Sequence, residues 1–262
     1  MNDKINNFRQ NIGLITKPIN KASLVPLFSI IDILQSISGS ICVITGGEGT
    51  NLMRKSDKDI LVLSVEYIKN NNLIVKIISH IVVEFKISIN LVRSTKKFPI
   101  WIFFLESHSL LLPVLTAKLL RKKTIFLLGA SIRNSSKAHG SALSKIFVYS
   151  EILAFELSNR IVVYAPNLIK EWNLERYQNK ISIANRHFLS FENFKIQKKL
   201  DERKTLVGYI GRLSEAKGVM NLVRSISISL TEIDGIKFMI GGDGRLRSEI
   251  EEILSKNNLI GN

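Results

Sequence analysis

Cysteine is almost missing from this chain of 262 residues, and the one it has, Cys42, lies in the apolar run "ICVITGG". A single thiol excludes a disulfide framework and a cysteine-based zinc site, and its neighbours place it in a core. An apolar leader is lacking too: "MNDKINNFRQ" is polar, so export is not expected. The longest apolar stretch, Asn70 to Ser94, is broken by Lys76, His80, Glu84 and Lys86, which makes it a poor membrane span. Acidic residues are scarce in the first part. Residues 1–190 hold 25 Lys/Arg against 12 Asp/Glu, whereas residues 191–262 hold 12 against 10. Of the formal charge of +15, the first part thus carries +13, and any broad affinity for polyanions or anionic lipid belongs there. Recognition-helix patterns and periodic aromatic–basic strands are also lacking, so nucleic acid is not an expected partner.

What is present reads as a soluble globular chain, 45% hydrophobic and 23% charged, long enough for two domains or one domain and a fragment. Short apolar strands alternate with helical stretches. "NIGLIT", "ICVITGG", "DILVLSV", "IWIFFL", "TIFLLGA", "RIVVYAP" and "KISIAN" read as strands. "LFSIIDILQSI", Asn70 to Ser94, "SLLLPVLTAKLL", Ser141 to Asn159 and "NLIKEWNL" read as helices. Continuous apolar strands separated by helices describe an α/β fold with a parallel sheet covered on both faces. Lys76, His80 and Glu84, four apart, mark one face of a packed crossover helix. The charged stretch "LSFENFKIQKKLDERK", without apolar period, is the best boundary. We therefore expect a first domain over 1–190, a linker over 191–204 and a partial second domain over 205–262. In the last, "TLVGYIG" and "IKFMIGG" are strands, and helices run from about Gly218 to Ser229 and Arg245 to Leu254. Two strand–helix repeats bury little surface, and an incomplete domain is the expectation.

The glycine stretches carry the chemistry. Gly211-Arg212-Leu213 follows a strand expected to be buried, at the sheet edge where open parallel sheets bind ligands. Arg212 can offer a bidentate fork to a phosphate there, and Lys217 opens the next helix, where ammonium and unpaired N–H groups converge on an anion. The plain alternative is two surface charges beside an ordinary βα turn. "GGDGRLR" repeats the theme: Gly241 and Gly242 allow close backbone approach, Gly244 precedes a helix, and Asp243 is placed to cap it. A P-loop would need Ser or Thr after its Gly-Lys, but the order here is Lys217-Gly218-Val219. The dinucleotide fingerprint would need a third glycine where the chain reads Arg245-Leu246-Arg247.

The long pair "VGYIGRLSEAKGVMNLVRSI" and "IKFMIGGDGRLRSEIEEIL" resembles the opening of the donor domain in retaining glycosyltransferases of family 4, which have the GT-B fold of two Rossmann-like domains. "ITKPINKASLVP", "LLLPVLTAKLLRKK" and "LSNRIVVYAPNLIKEWNL" resemble the family's first half more loosely, in the right order. The resemblance implies transfer of a sugar, with retention, from a nucleotide-diphosphate sugar to a saccharide or lipid-linked acceptor in envelope, polysaccharide or glycan synthesis. Arg212 and Lys217 match the basic pair that holds the diphosphate and stabilises the leaving group. Gly211, Gly241, Gly242 and Gly244 match the backbone lining the nucleotide pocket. No metal or other cofactor is expected. Acceptor-side candidates are Lys21, Gly46, Gly47, His108, Ser131, Arg133 and His139. The chain departs from the family in having Gly129-Ala130-Ser131 where many members place a histidine. It also stops before the family's acidic motif, two glutamates seven residues apart. A cytoplasmic protein is expected, peripheral on the membrane face through the basic runs Lys96-Lys97 and Arg121-Lys122-Lys123 or through one side of the helix Lys145 to Leu157. The alternative reading is a truncated, weak or inactive relative that binds anions or lipid. An epimerase of the kind with an early glycine fingerprint and a Tyr-x-x-x-Lys pair lacks both features here.

Overall fold

The computed structural model describes residues 9–50, 60–66, 72–105, 107–129, 142–184, 195–203 and 205–259. The chain divides into two compact units, Met1–Phe188 and Leu189–Asn262.

The first unit is built on seven strands: β1 (Ile12–Ile19), β2 (Ile41–Gly47), β3 (Ile60–Ser64), β4 (Ile100–Phe103), β5 (Lys123–Leu127), β6 (Arg160–Val163) and β7 (Ile181–Ile183). They pair in the order β3-β2-β1-β4-β5-β6-β7, every pair parallel. The helices are α1 (Leu24–Ile37), α2 (Leu73–Ser94), α3 (Leu111–Leu119), α4 (Ala142–Leu157) and α5 (Asn167–Glu171). The two-residue period of the strands sorts their apolar side chains onto two faces. Leu14, Val43 and Ile102 join Leu27, Ile31 and Leu34 of α1 in one core. Ile15, Ile44 and Phe103 join Val83, Ile87 and Leu91 of α2, Val114 of α3 and Phe155 of α4 in the other. Cys42 is fully buried in this second core, as its sequence context requires.

α4 packs one side inward, where Phe155 meets Phe126 edge to face at 5.4 Å and Tyr177 at 5.7 Å, and leaves Tyr149 and Leu153 exposed on another. α2 is the packed crossover helix expected, and the face marked by His80 and Glu84 turns toward α3. His80 Nε2 pairs with Glu84 Oε1 at 2.9 Å, and Glu84 Oε2 accepts the Leu112 N–H at 2.7 Å, which draws that face toward α3. Ile74, Ile78, Ile81 and Phe85 are exposed instead. The four-residue spacing identified the helix, and neighbouring elements chose which side went inside.

The second unit has two parallel strands, β8 (Leu206–Ile210) and β9 (Lys237–Gly241), with α6 (Val219–Glu232) and α7 (Arg247–Lys256). Leu213, Val219, Val223, Leu246 and Ile250 form its core, with Tyr209 and Ile240 against it. β8 is not the buried strand its composition suggests: Leu206, Val207 and Ile210 are all exposed, as is Met239 of β9. Helices cover one side of this sheet among the described residues, so the alternate strand positions face outward.

Candidate functional site

The first unit opens at the carboxyl edge of its sheet, where β1 lies between β2 and β4, the point at which strand order reverses. β1 pairs with β4 from Ile12↔Ile100 as far as Ile15↔Phe103, and Phe104 N–H then donates to Ile15 O at 2.9 Å. Beyond a register shift between Ile15 and Pro18, β1 continues against β2 alone, with Pro18↔Gly46 and Ile19↔Gly47. A proline is tolerated at Pro18 because its missing N–H falls after β4 has ended. Two buried threonines hold this split. Thr16 Oγ1 donates to Lys17 O at 2.8 Å, so its one hydrogen is used, and in the 2.7 Å contact between the hydroxyls Thr45 is the donor. This pair was missed in the sequence reading, although Thr16 and Thr45 each follow an isoleucine, and those isoleucines pair in the sheet.

Lys21 begins a short 3-10 turn, Lys21–Ser23, directly after β1. Asn20 Oδ1 accepts the Ser23 N–H there at 3.2 Å, and Lys21 stays exposed. Gly46 and Gly47 close β2 beside it. The turn Ser107–Ser109, which follows β4, contributes the backbone of His108, whose side chain lies outside the described residues. Lys21, Gly46, Gly47 and the His108 turn thus share one sheet edge. Ser131, Arg133 and His139 lie outside the described residues.

In the second unit, the two glycine loops are zipped to each other beyond the strand ends. Gly211 N–H donates to Gly241 O at 3.0 Å, Leu213 N–H to Asp243 O at 3.0 Å, and Leu246 N–H to Leu213 O at 3.2 Å. The approach is so close that a Cβ at Gly242 would collide with the Gly211 carbonyl oxygen, and one at Gly244 with that of Leu213. Both also adopt positive φ, 146° and 159°, so glycine is required twice over. Asp243 does not cap the helix. Its Oδ1 accepts the N–H of the adjacent Gly244 at 2.8 Å, because α7 starts later than expected, at Arg247.

Leu213 is buried in the core, which turns its neighbour Arg212 outward. Tyr209 Oη donates to the Arg212 carbonyl at 2.9 Å and fixes that backbone. Lys217 ends a 3-10 turn, Glu215–Lys217, and Gly218, left-handed at φ 66°, leads into α6. Both cationic side chains are exposed, and neither has a hydrogen bond or ion pair among the described residues. A third cation is engaged: Arg245 pairs with Glu215 across the two loops. The carboxyl of Glu215 is held below its usual range by its own backbone N–H and by Arg245. With 30 residues between the partners, no local pattern in the sequence signals this clasp. Two exposed cations and one clasped pair thus lie in the segments that follow the carboxyl ends of the two parallel strands.

No protein-family model and no curated sequence matches the chain. Its structure, however, is similar to several solved ones. An Anabaena protein, Alr3699/HepE, solved in complex with UDP and glucose, matches at TM-score 0.66 and 11% identity over 97% of this chain and 68% of its own. A glycosyltransferase from Rickettsia africae matches at TM-score 0.58 and 16% identity over 97% and 66%. The UDP-GlcNAc 2-epimerase of Methanocaldococcus jannaschii matches at TM-score 0.54 and 14% identity over 95% and 69%. The chain spans about two thirds of the length of each. By fold it is an α/β protein of the GT-B type, a seven-stranded parallel Rossmann-like sheet followed by two strand–helix repeats of a second.

Proposed function

We propose that this chain acts on a nucleotide-diphosphate sugar and transfers the sugar, with retention, to a saccharide or lipid-linked acceptor. The observation that carries this reading is the pair Arg212 and Lys217, exposed and without a side-chain partner among the described residues, in the segment between β8 and α6. Leaving-group departure places negative charge on a diphosphate. Two fixed cations stabilise that charge more in the transition state than in the ground state. Arg212 grips with a planar fork and Lys217 acts as a point charge, with the N-terminal N–H groups of α6 adding their partial charge. The glycines at Gly211, Gly241, Gly242 and Gly244 hold the two loops together, and the zipped backbone is the candidate wall of the nucleotide pocket. On the other unit, Lys21, Gly46, Gly47 and the His108 turn are the acceptor-side candidates, joined by Ser131, Arg133 and His139. Since the cations supply the charge, no metal is needed, and turnover is expected to survive a chelator.

The test is binding and turnover with a panel of nucleotide sugars. Arg212→Ala and Lys217→Ala are each expected to lower kcat by about 10²–10³, the usual loss for one charge-stabilising donor. Absence of any nucleotide-diphosphate affinity in the parent chain would overturn the reading. A second reading, binding without turnover, is favoured by the outward apolar face of the two-stranded sheet. It predicts UDP affinity that falls in both variants, with neither transfer nor hydrolysis.

A further inference from the structure

The outer face of α2 is apolar over most of its length. Ile74, Ile77, Ile78, Ile81, Val82 and Phe85 recur at helical spacing and are between 37% and 66% exposed, and Val92 extends the stripe. A solvated helix face would be polar, and the opposite side of α2, with Val83, Ile87 and Leu91, already fills the core. The one carboxylate on the helix, Glu84, is turned away and held by His80 and the Leu112 N–H. Exposed cations border the stripe: Lys86 and Arg93 on one flank, then Lys96 and Lys97 past the helix end. Lys86 and Arg93 also line a shallow hollow of about 340 Å³ with Ser64, Glu66, Ile89 and Asn90, in which the cations outnumber the acid two to one.

The stripe has a definite place. α2 follows β3 and so begins at the carboxyl edge of the sheet. The Glu84–Leu112 bond sets the start of α3 level with the middle of α2, so about eleven residues, ~16 Å of helix at 1.5 Å each, precede that level. No described residue of α2 before Ser79 is buried. The first turns therefore overhang the edge that carries Lys21, Gly46 and Gly47. The helix is not long and apolar enough to cross a membrane.

We propose that α2 is an interfacial docking helix, which lays its isoleucine–phenylalanine stripe into an anionic lipid bilayer while Lys86, Arg93, Lys96 and Lys97 meet the headgroups. An apolar face rimmed by cations, on a unit with thirteen excess positive charges, complements a negative lipid surface. A protein partner of the same shape would have to be both greasy and acidic. If the transfer reading above holds, the docked edge receives its acceptor from the lipid.

The full-length chain is mixed, without nucleotide, with vesicles of phosphatidylcholine alone or with about a third phosphatidylglycerol, a composition that gives the surface the required charge. It is expected to sediment with the anionic vesicles and to release partly at high salt. Ile78→Glu combined with Phe85→Glu should weaken binding on the order of a hundredfold, since both side chains leave water only in lipid. Lys86→Gln with Arg93→Gln should weaken it about thirty-fold, from the usual contribution of each cation at a charged surface. All four positions are exposed, so unchanged circular dichroism is expected to show intact folding. The proposal is overturned if the parent ignores anionic vesicles, or if the Ile78/Phe85 variant binds them equally well. It is also overturned if that variant instead converts a dimer to a monomer, which would make the stripe a self-association surface. UDP titration of the same preparation reads the nucleotide site independently, so loss of one result leaves the other standing.

Discussion

Trp101 shows how far a single residue's surroundings can be chosen by a neighbour with no side chain. It is fully buried in the middle of β4 and donates its indole N–H to Phe98 O at 3.1 Å. Its ring lies directly over Gly13 of β1, where any Cβ would strike it. Gly13→Ala is therefore an overpacking change, expected to cost about 1–3 kcal/mol in urea unfolding despite alanine's better strand packing elsewhere. Cys42 makes a different prediction. Burial pushes its thiol up to about 11, against a weaker lowering effect of Ser94. The thiolate is disfavoured only in the folded chain, so the folded state binds more protons between the thiol's ordinary value and about 11, and stability falls as pH rises through that window. In native protein at pH 8 a thiol reagent is expected to react slowly, and in denaturant at once; rapid native labelling would show the core to be open. Cys42 was legible from its apolar neighbours. The Gly13–Trp101 contact was not, since 88 residues separate two positions that only strand pairing brings together.

At the scale of elements, α4 ends under the control of a residue from far along the chain. Lys180 Nζ donates to the carbonyls of Phe155, Glu156 and Ser158 at 2.7, 2.9 and 3.3 Å, satisfying the acceptors that every helix leaves at its end. Removing the charged donor with Lys180→Met should lower stability by about 1.5–3 kcal/mol, the range for hydrogen bonds to a charged group, seen as an earlier urea midpoint with unchanged slope. α2 carries the wider lesson. Its period was readable, and so were its ends, since Asn72 Oδ1 accepts the Ile74 N–H at 2.9 Å as an N-cap should. Its orientation was not readable, because isoleucines run nearly all round it. An apolar helix side can face sheet or solvent, and the choice fell to the sheet and to α3.

Across the whole molecule the two units are built to different standards. The first buries both faces of a seven-stranded sheet in two cores, and the second buries one face of two strands in one small core. Amide exchange in β8 and β9 is expected to be faster than in β1, β2 and β4, because local opening there exposes little new apolar surface. Protection in β8 equal to that in β1 would contradict this account.

Element order, the parallel sheet, the glycine loops and the two cations beside them were determined by the sequence alone. These depend on contacts within a few residues, or on periods that any reader of the chain can count. Tertiary structure alone decided that Arg245 is clasped by Glu215 while Arg212 and Lys217 have no side-chain partner among the described residues. It alone decided that Thr45 donates to Thr16, and that α2 turns its isoleucine stripe outward. Each of these depends on which distant segments share a neighbourhood, and local composition carries no record of that.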